Sequence, residues 1–253
     1  MPELLRNLRA LIEEADKSNA ADPTFLDDLR NLANAYDNPY PVRLVFDDFR
    51  DGDFTSNPTW IVSAGTWRVD NRGRVGGLRS TVYGPDFGAG GGGQNYGNFG
   101  GNLLRQGGQG QQDSFAAIYL PVRIPNTFDI RLELASRDEG GRFDFGPYLG
   151  PGGNTAYRIT YMPGAANGLV LSRATSQGTR VLGSSTGPVS LEDGRPHVID
   201  WRRDRNGRMT VTLDGKPVID AGDPAIRKNF DGFLVVNSGG TYWIRSLTIN
   251  GPR

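Results

Sequence analysis

Between residues 2 and 36 apolar side chains recur at helical spacing. Leu4, Leu5, Leu8, Leu11, Ile12 and Ala15 share one stripe, with Arg6, Arg9, Glu13, Glu14 and Asp16 opposite. A second helix is predicted from "NAADPTFLDDLRNLANAYDNP". Asp22 suits the N-cap and Pro23 the first helical position. Phe25, Leu26, Leu29, Leu32, Ala33 and Tyr36 form its apolar face, and "DNPYP" ends it. Residues 1–38 therefore read as a helical hairpin. So short a hairpin buries its stripe poorly by itself. It must pack on the rest of the chain or on another chain, which would make it an oligomerisation or docking element.

From residue 43 the period changes to two. In "FDIRLELAS", Phe128, Ile130, Leu132 and Leu134 share one face, and Asp129, Arg131 and Glu133 share the other. "AYRITYM" alternates likewise, with Tyr157, Ile159 and Tyr161 in phase. Further strands are predicted at 43–49, 60–69, 75–83, 115–122, 142–148, 168–174, 178–183, 197–203, 208–213, 217–219, 232–236 and 242–249. Many short strands separated by turn residues, with no later helical period, predict an all-β antiparallel two-sheet jelly-roll sandwich over residues 39–253.

Composition narrows the function classes. The 28 basic and 28 acidic residues cancel, so no global basic field calls for nucleic acid. The absence of cysteine removes disulfides, zinc–thiolate sites and thiol catalysis. No apolar run approaches the length needed to span a bilayer, so membrane insertion is not expected. The charged opening "MPELLRNLRALIEEADKSNAADP" does not read as a Sec-type signal. A cell-surface, extracellular or particle-associated location reached by another route is favoured over a cytoplasmic one.

Residues 84–110 are compositionally apart: twelve of the 27 are glycine, too many for a regular element. The plain reading is a flexible loop. The sharper one is an ordered loop that presents Phe87, Tyr96 and Phe99 to a ligand or neighbouring subunit. With Tyr83, Trp60 and Tyr148, these residues are the candidate ligand-binding aromatics. Each could instead be packing. A second candidate is "FDDFRDGDF", where Asp47, Asp48, Asp51 and Asp53 cluster. Clustered carboxylates suit a structural calcium, though a solvated turn gives the same pattern.

The single histidine, His197, lies in "GRPHVIDWRRDRNGRMTVTLDGKPVID" among acids. The two-residue period puts it in phase with Ile199 and Trp201, on a strand of a β-meander with turns at Asn206-Gly207 and Asp214-Gly215. No Gly-x-Ser-x-Gly elbow accompanies it, so a serine-hydrolase reading has no support.

Three segments, in order, resemble the concanavalin A-like lectin/glucanase superfamily, and within it laminin-G-like and keto-disaccharide-hydrolase-like domains. They are "LVFDDFRDGDFTSNPTWIVSAGTWRVDNRGRVGG", "RPHVIDWRRDRNGRMTVTLDGKPVID" and "DGFLVVNSGGTYWIRSLTI". The resemblance covers about residues 43–250 and implies the jelly roll. It also implies a structural calcium near the first strand, although Arg245 stands where a late acid would help. Glycosidases of this superfamily that resemble laminarinases carry Glu-x-Asp-x-x-Glu on one strand, and this chain has none. The leading expectation is a non-catalytic carbohydrate-binding or adhesive module within an oligomeric assembly, with glycans and copies of itself as partners. The alternatives are a structural subunit of a particle or filament and a glycoside hydrolase-like enzyme.

Overall fold

The computed structural model describes residues 2–71, 75–83 and 115–253. Two helices open the chain, α1 (Pro2–Lys17) and α2 (Pro23–Asp37). The Asp22 carboxylate caps α2 by accepting from the amides of Thr24 (2.8 Å) and Phe25 (3.3 Å). Arg30 ties the helices together through Asp16 at 2.5 Å. Ile12, Leu26 and Ala33 are buried, but Leu4, Leu11, Phe25 and Leu32 stay exposed. The hairpin thus covers only part of its apolar stripe.

Fifteen strands follow among the described residues. The first group is β1 (Val42–Asp47), β2 (Ile61–Ala64), β3 (Trp67–Val69), β4 (Leu78–Val82) and β5 (Ala116–Leu120). Next come β6 (Phe128–Ser136), β7 (Phe143–Leu149), β8 (Thr155–Tyr161), β9 (Leu169–Thr175) and β10 (Gly178–Ser184). The last are β11 (His197–Arg203), β12 (Arg208–Leu213), β13 (Lys216–Gly222), β14 (Gly232–Asn237) and β15 (Gly240–Gly251). One sheet has eight strands in the order β13-β12-β11-β6-β15-β4-β3, with β1 also pairing β15; the other has seven, β10-β9-β8-β7-β14-β5-β2. All strand pairs are antiparallel. The architecture is the all-β two-sheet sandwich that the alternation predicts.

The single strand expected at 60–69 is two strands in different sheets. The chain leaves the seven-stranded sheet at Ala64 and enters the eight-stranded one at Trp67. Gly65 makes the crossing, with φ +65° and so little room that an added Cβ would lie 2.5 Å from the Ala116 Cβ.

The inward residues of both sheets build the core. Phe128, Ile130, Leu132 and Leu134 of β6 are fully buried, as are Ile199 and Trp201 of β11 and Tyr157, Ile159 and Tyr161 of β8. Trp201 meets Phe128 edge to face, with centroids 5.3 Å apart. The β11–β12–β13 meander turns at Asp214-Gly215, where both residues have positive φ, as a two-residue hairpin turn of this hand requires.

Candidate functional site: the two outer sheet faces

The same alternation that fills the core leaves each sheet an outer face, and the two faces differ in chemistry. On the eight-stranded sheet the outward residues form a ladder of ion pairs. Arg131 reaches Asp200 (3.1 Å), Arg202 reaches Asp129 (3.0 Å) and Arg245 reaches Glu133 (3.6 Å). Arg208 pairs with Asp220, and Arg79 lies over the Trp243 ring. These pairs sit in cross-strand register, Arg131 opposite Asp200 and Arg202 opposite Asp129. The Asp129 and Glu133 carboxylates of "FDIRLELAS" are therefore committed to arginines. This is a solvated surface whose charges cancel locally.

The middle of the outer face of the seven-stranded sheet is buried, while its edge strands β10 and β2 stay exposed. At its centre lie Asp144 of β7 and Arg158 and Thr160 of β8, with Ser172 of β9 opposite Arg158 in register. All four are less than a tenth exposed. Asp144 accepts two hydrogen bonds from Arg142 (2.6 and 2.8 Å) and one from the Thr160 hydroxyl (2.5 Å). Among the described residues the Arg158 guanidinium donates to the Gly153 carbonyl at 3.4 Å, and its Nε has no partner there. Burial pulls its pKa below the ordinary arginine value; Asp144 opposes that shift and Arg142 adds to it. One end of the face is apolar, with Tyr148, Ala156, Leu234, Val236 and Ala117 in a cluster separate from the main core. The half-buried Tyr119 meets Tyr148 edge to face at 6.3 Å. Burial, with Tyr119 and Asp231 nearby, pushes the Tyr148 phenol up to about 12.

Of the aromatics expected at a binding edge, Tyr83 is 93% exposed just beyond β4. Phe87, Tyr96 and Phe99 fall outside the described residues. Trp60 is not a platform: it is 2% exposed, and its indole N–H donates to Asp47 at 2.9 Å. Tyr148 is also buried, but it lies on the outer face beside the polar group. Sequence reading missed Arg158, Thr160, Asp144, Ser172 and Tyr119. The signal was the second phase of "AYRITYM", where Arg158 and Thr160 alternate with Tyr157, Ile159 and Tyr161.

The four aspartates of 47–53 do not converge. Asp47 spends its oxygens on the Phe49 amide (2.9 Å) and Trp60. Asp48 caps and pairs with Arg50, Asp51 caps the Asp53 amide, and Asp53 takes the Thr55 amide and hydroxyl and the Ser56 hydroxyl. Each carboxylate closes its own turn. Among the described residues no group of three or more acids or histidines is arranged to hold a metal. The calcium expectation therefore has no fitting donor set in this turn, and Arg245 is taken by Glu133.

His197 is a structural residue of β11. It is 5% exposed, and its ring nitrogens face Asp214 (Nδ1, 2.7 Å) and Asp193 (Nε2, 2.9 Å). Burial alone would raise both carboxyls, but hydrogen bonds from the Val198 amide, the Arg195 amide and His197 outweigh it and hold them below the ordinary aspartate value. The imidazole thus fastens two turns to the sheet edge, and neither nitrogen is free for a substrate.

No family model matches the chain, and no curated protein matches its sequence. Solved structures do match its shape. A carbohydrate-binding module, CBM66 of Bacillus subtilis, superposes with a TM-score of 0.52 at 13% identity over 76% of this chain and 95% of that one. A Bacillus subtilis protein of unknown function with a galectin-like fold gives 0.56 at 10% identity over 85% and 99%. A family 16 endo-glucanase of Bacteroides ovatus gives 0.54 at 12% over 81% and 99%. With the two antiparallel sheets in place, these neighbours establish the fold: the described residues from about 43 onward form a two-sheet antiparallel jelly roll like theirs.

Proposed function

We propose that this chain is a non-catalytic carbohydrate-binding module and that the sugar meets the outer face of the seven-stranded sheet. One observation carries the reading. That face lines up aromatic rings, the half-buried Tyr119 of β5 and the buried Tyr148 of β7, with the buried hydrogen-bonding groups Arg158 and Thr160 of β8 and Ser172 of β9. Sugars offer both apolar C–H faces and hydroxyls, so a site needs both kinds of partner. The outward face of the opposite sheet is dominated by cross-strand ion pairs whose charges cancel locally. The carbohydrate-binding module among the structural neighbours supports the same reading.

The endo-glucanase neighbour raises an enzymatic alternative. Glycosidases need two carboxyl groups about 5–10 Å apart. Asp144 is the one acid on the described strands of this outer face, and Arg142 and Thr160 occupy its oxygens. That commitment favours binding over hydrolysis. A glycan array with the full chain tests the reading: binding to at least one glycan without its cleavage is expected, and no binding to any glycan would remove it.

The exposed Leu4, Leu11, Phe25 and Leu32 favour a second element of the proposal, self-association through the hairpin. Arg6 and Arg9 precede Glu13, Glu14 and Asp16 along α1, so two antiparallel copies of α1 would set opposite charges against each other. Light scattering should show an oligomer for the full chain and a monomer after Leu4→Glu with Leu11→Glu. A monomeric full chain would contradict it. A surface or extracellular location fits this reading. No helix among the described residues is long and apolar enough to cross a membrane.

A further inference from the structure

We propose that a neutral sugar ring stacks on Tyr119 at the apolar end of this outer face, with the Tyr148 hydroxyl and the Asp231 carboxylate as its hydrogen-bonding partners. The inference rests on the glycan-binding reading of the same face. It adds Asp231 to the site and names the chemical class of the ligand.

Access decides where on the face a ligand can land. Asp144, Arg158, Thr160 and Ser172 at its centre are each less than a tenth exposed. The aromatic end lies nearer the sheet edge. β2 is the last strand of the sheet and β5 is next to it. Ile61 of β2 stands opposite Tyr119 of β5, so the two side chains share a face. Ile61 is 38% exposed and Tyr119 is half-buried. This corner of the face is open to solvent, and Tyr119 is its aromatic ring.

A glycine shapes the corner. Tyr148 leans across Gly232 of β14, where an added Cβ would lie 2.5 Å from the Tyr148 ring and 2.6 Å from its hydroxyl oxygen. The residue beside Gly232 is Asp231, whose amide donates to the Tyr148 carbonyl at 2.8 Å. Burial first, then Tyr119 and Asp231, raise the Tyr148 phenol, so the three groups act on one another and the phenol stays a donor.

Hydrogen-bonding capacity is left over at this corner. The Tyr148 hydroxyl makes no hydrogen bond among the described residues, and it is not one of their enclosed unpartnered atoms. Asp231 is exposed and forms no ion pair among the described residues. Its carboxylate accepts from the Gly150 amide (2.8 Å) through Oδ2 and has room for more donors. A sugar brings what fits: C–H groups for the Tyr119 ring and hydroxyls for a phenol and a carboxylate.

Charge sets the ligand class. Ala117, Ala156, Leu234 and Val236 around the rings are uncharged, and the charge that acts on the Tyr148 phenol is an anion, Asp231. A uronic acid or sulfated sugar would set like charges together here, whereas a neutral sugar meets no such cost.

The test is a quantitative array with cellohexaose, maltohexaose and mannohexaose as neutral probes and oligogalacturonate and dextran sulfate as acidic ones. The full chain is expected to bind at least one neutral probe tenfold or more tightly than either acidic probe. Tyr119→Ala should lose tenfold or more of that affinity. Tyr148→Phe and Asp231→Asn remove single groups without disturbing the packing, because an Asn oxygen still accepts from Gly150. They should melt near the wild-type temperature, and a clear loss of affinity in either one supports the site even where Tyr119→Ala fails to fold. Asp220→Asn, which removes the partner of Arg208 on the other sheet, should bind as the wild type does. A preference for an acidic probe, or wild-type affinity in both Tyr148→Phe and Asp231→Asn, would overturn the inference and leave the glycan-binding reading standing. Failure to bind any glycan would remove both.

Discussion

Trp201→Ala is expected to cost about 3–5 kcal/mol of stability. The side chain is fully buried in the middle of β11, between Ile130 of β6 and Val211 of β12, and it packs edge to face on Phe128. Truncation removes a large apolar surface and leaves a cavity that two hydrogen-bonded sheets cannot close. For a chain of this length the melting temperature should fall by roughly 10 °C or more. Trp201→Phe makes the argument specific. The indole N–H has no hydrogen-bond partner among the described residues. Its loss therefore leaves no acceptor unpaired, and the cost should be only about 1–2 kcal/mol. Thermal unfolding of both variants checks this, and equal losses would mean that packing is not the dominant contribution of Trp201.

Gly146→Ala should be as damaging, for a different reason. Gly146 sits in β7 with φ +155°, and an added Cβ would lie 2.2 Å from the Tyr157 carbonyl oxygen and 3.1 Å from the Trp201 ring. The oxygen belongs to a hydrogen-bonded neighbouring strand, so the sheet itself would have to move. Backbone strain and overpacking together should cost about 3 kcal/mol or more. Gly140→Ala is the control, because an added Cβ there meets nothing within 4 Å and φ is not in the positive region. Circular dichroism and melting should separate the two clearly; an unperturbed Gly146→Ala protein would refute the close approach of β7 and β8 at this point.

The fold was readable because its signals are local. Alternation in "FDIRLELAS" and "HVIDWRR" by itself places Phe128, Ile130, Ile199 and Trp201 inward. It also placed His197 on the core side, which is why that residue lost its catalytic look. The sheet change at Gly65 was not readable, because Ala64 and Trp67 belong to one apolar run, and only a non-local contact, Ala116, separates their strands. The candidate site was less legible for the same reason. Asp144, Arg158 and Ser172 come from three different strands, with Arg142 just ahead of the first, and their sequence neighbours do not reveal their register. Trp60 looked like a ligand platform because exposure cannot be read from residue type. Spacing in sequence likewise does not show that each aspartate of 47–53 closes its own turn.

The central claim is that glycan is recognised on the outer face of the seven-stranded sheet. Methyl NMR of the full chain, with and without a glycan that binds on the array, tests it most directly. The account predicts shifts at Ala117, Ala156, Leu234 and Val236, which lie on that face. Thr210, Thr212 and Thr248, in β12 and β15 of the eight-stranded sheet, should stay unmoved. Shifts confined to those threonines, with the alanine, leucine and valine methyls unchanged, would contradict it.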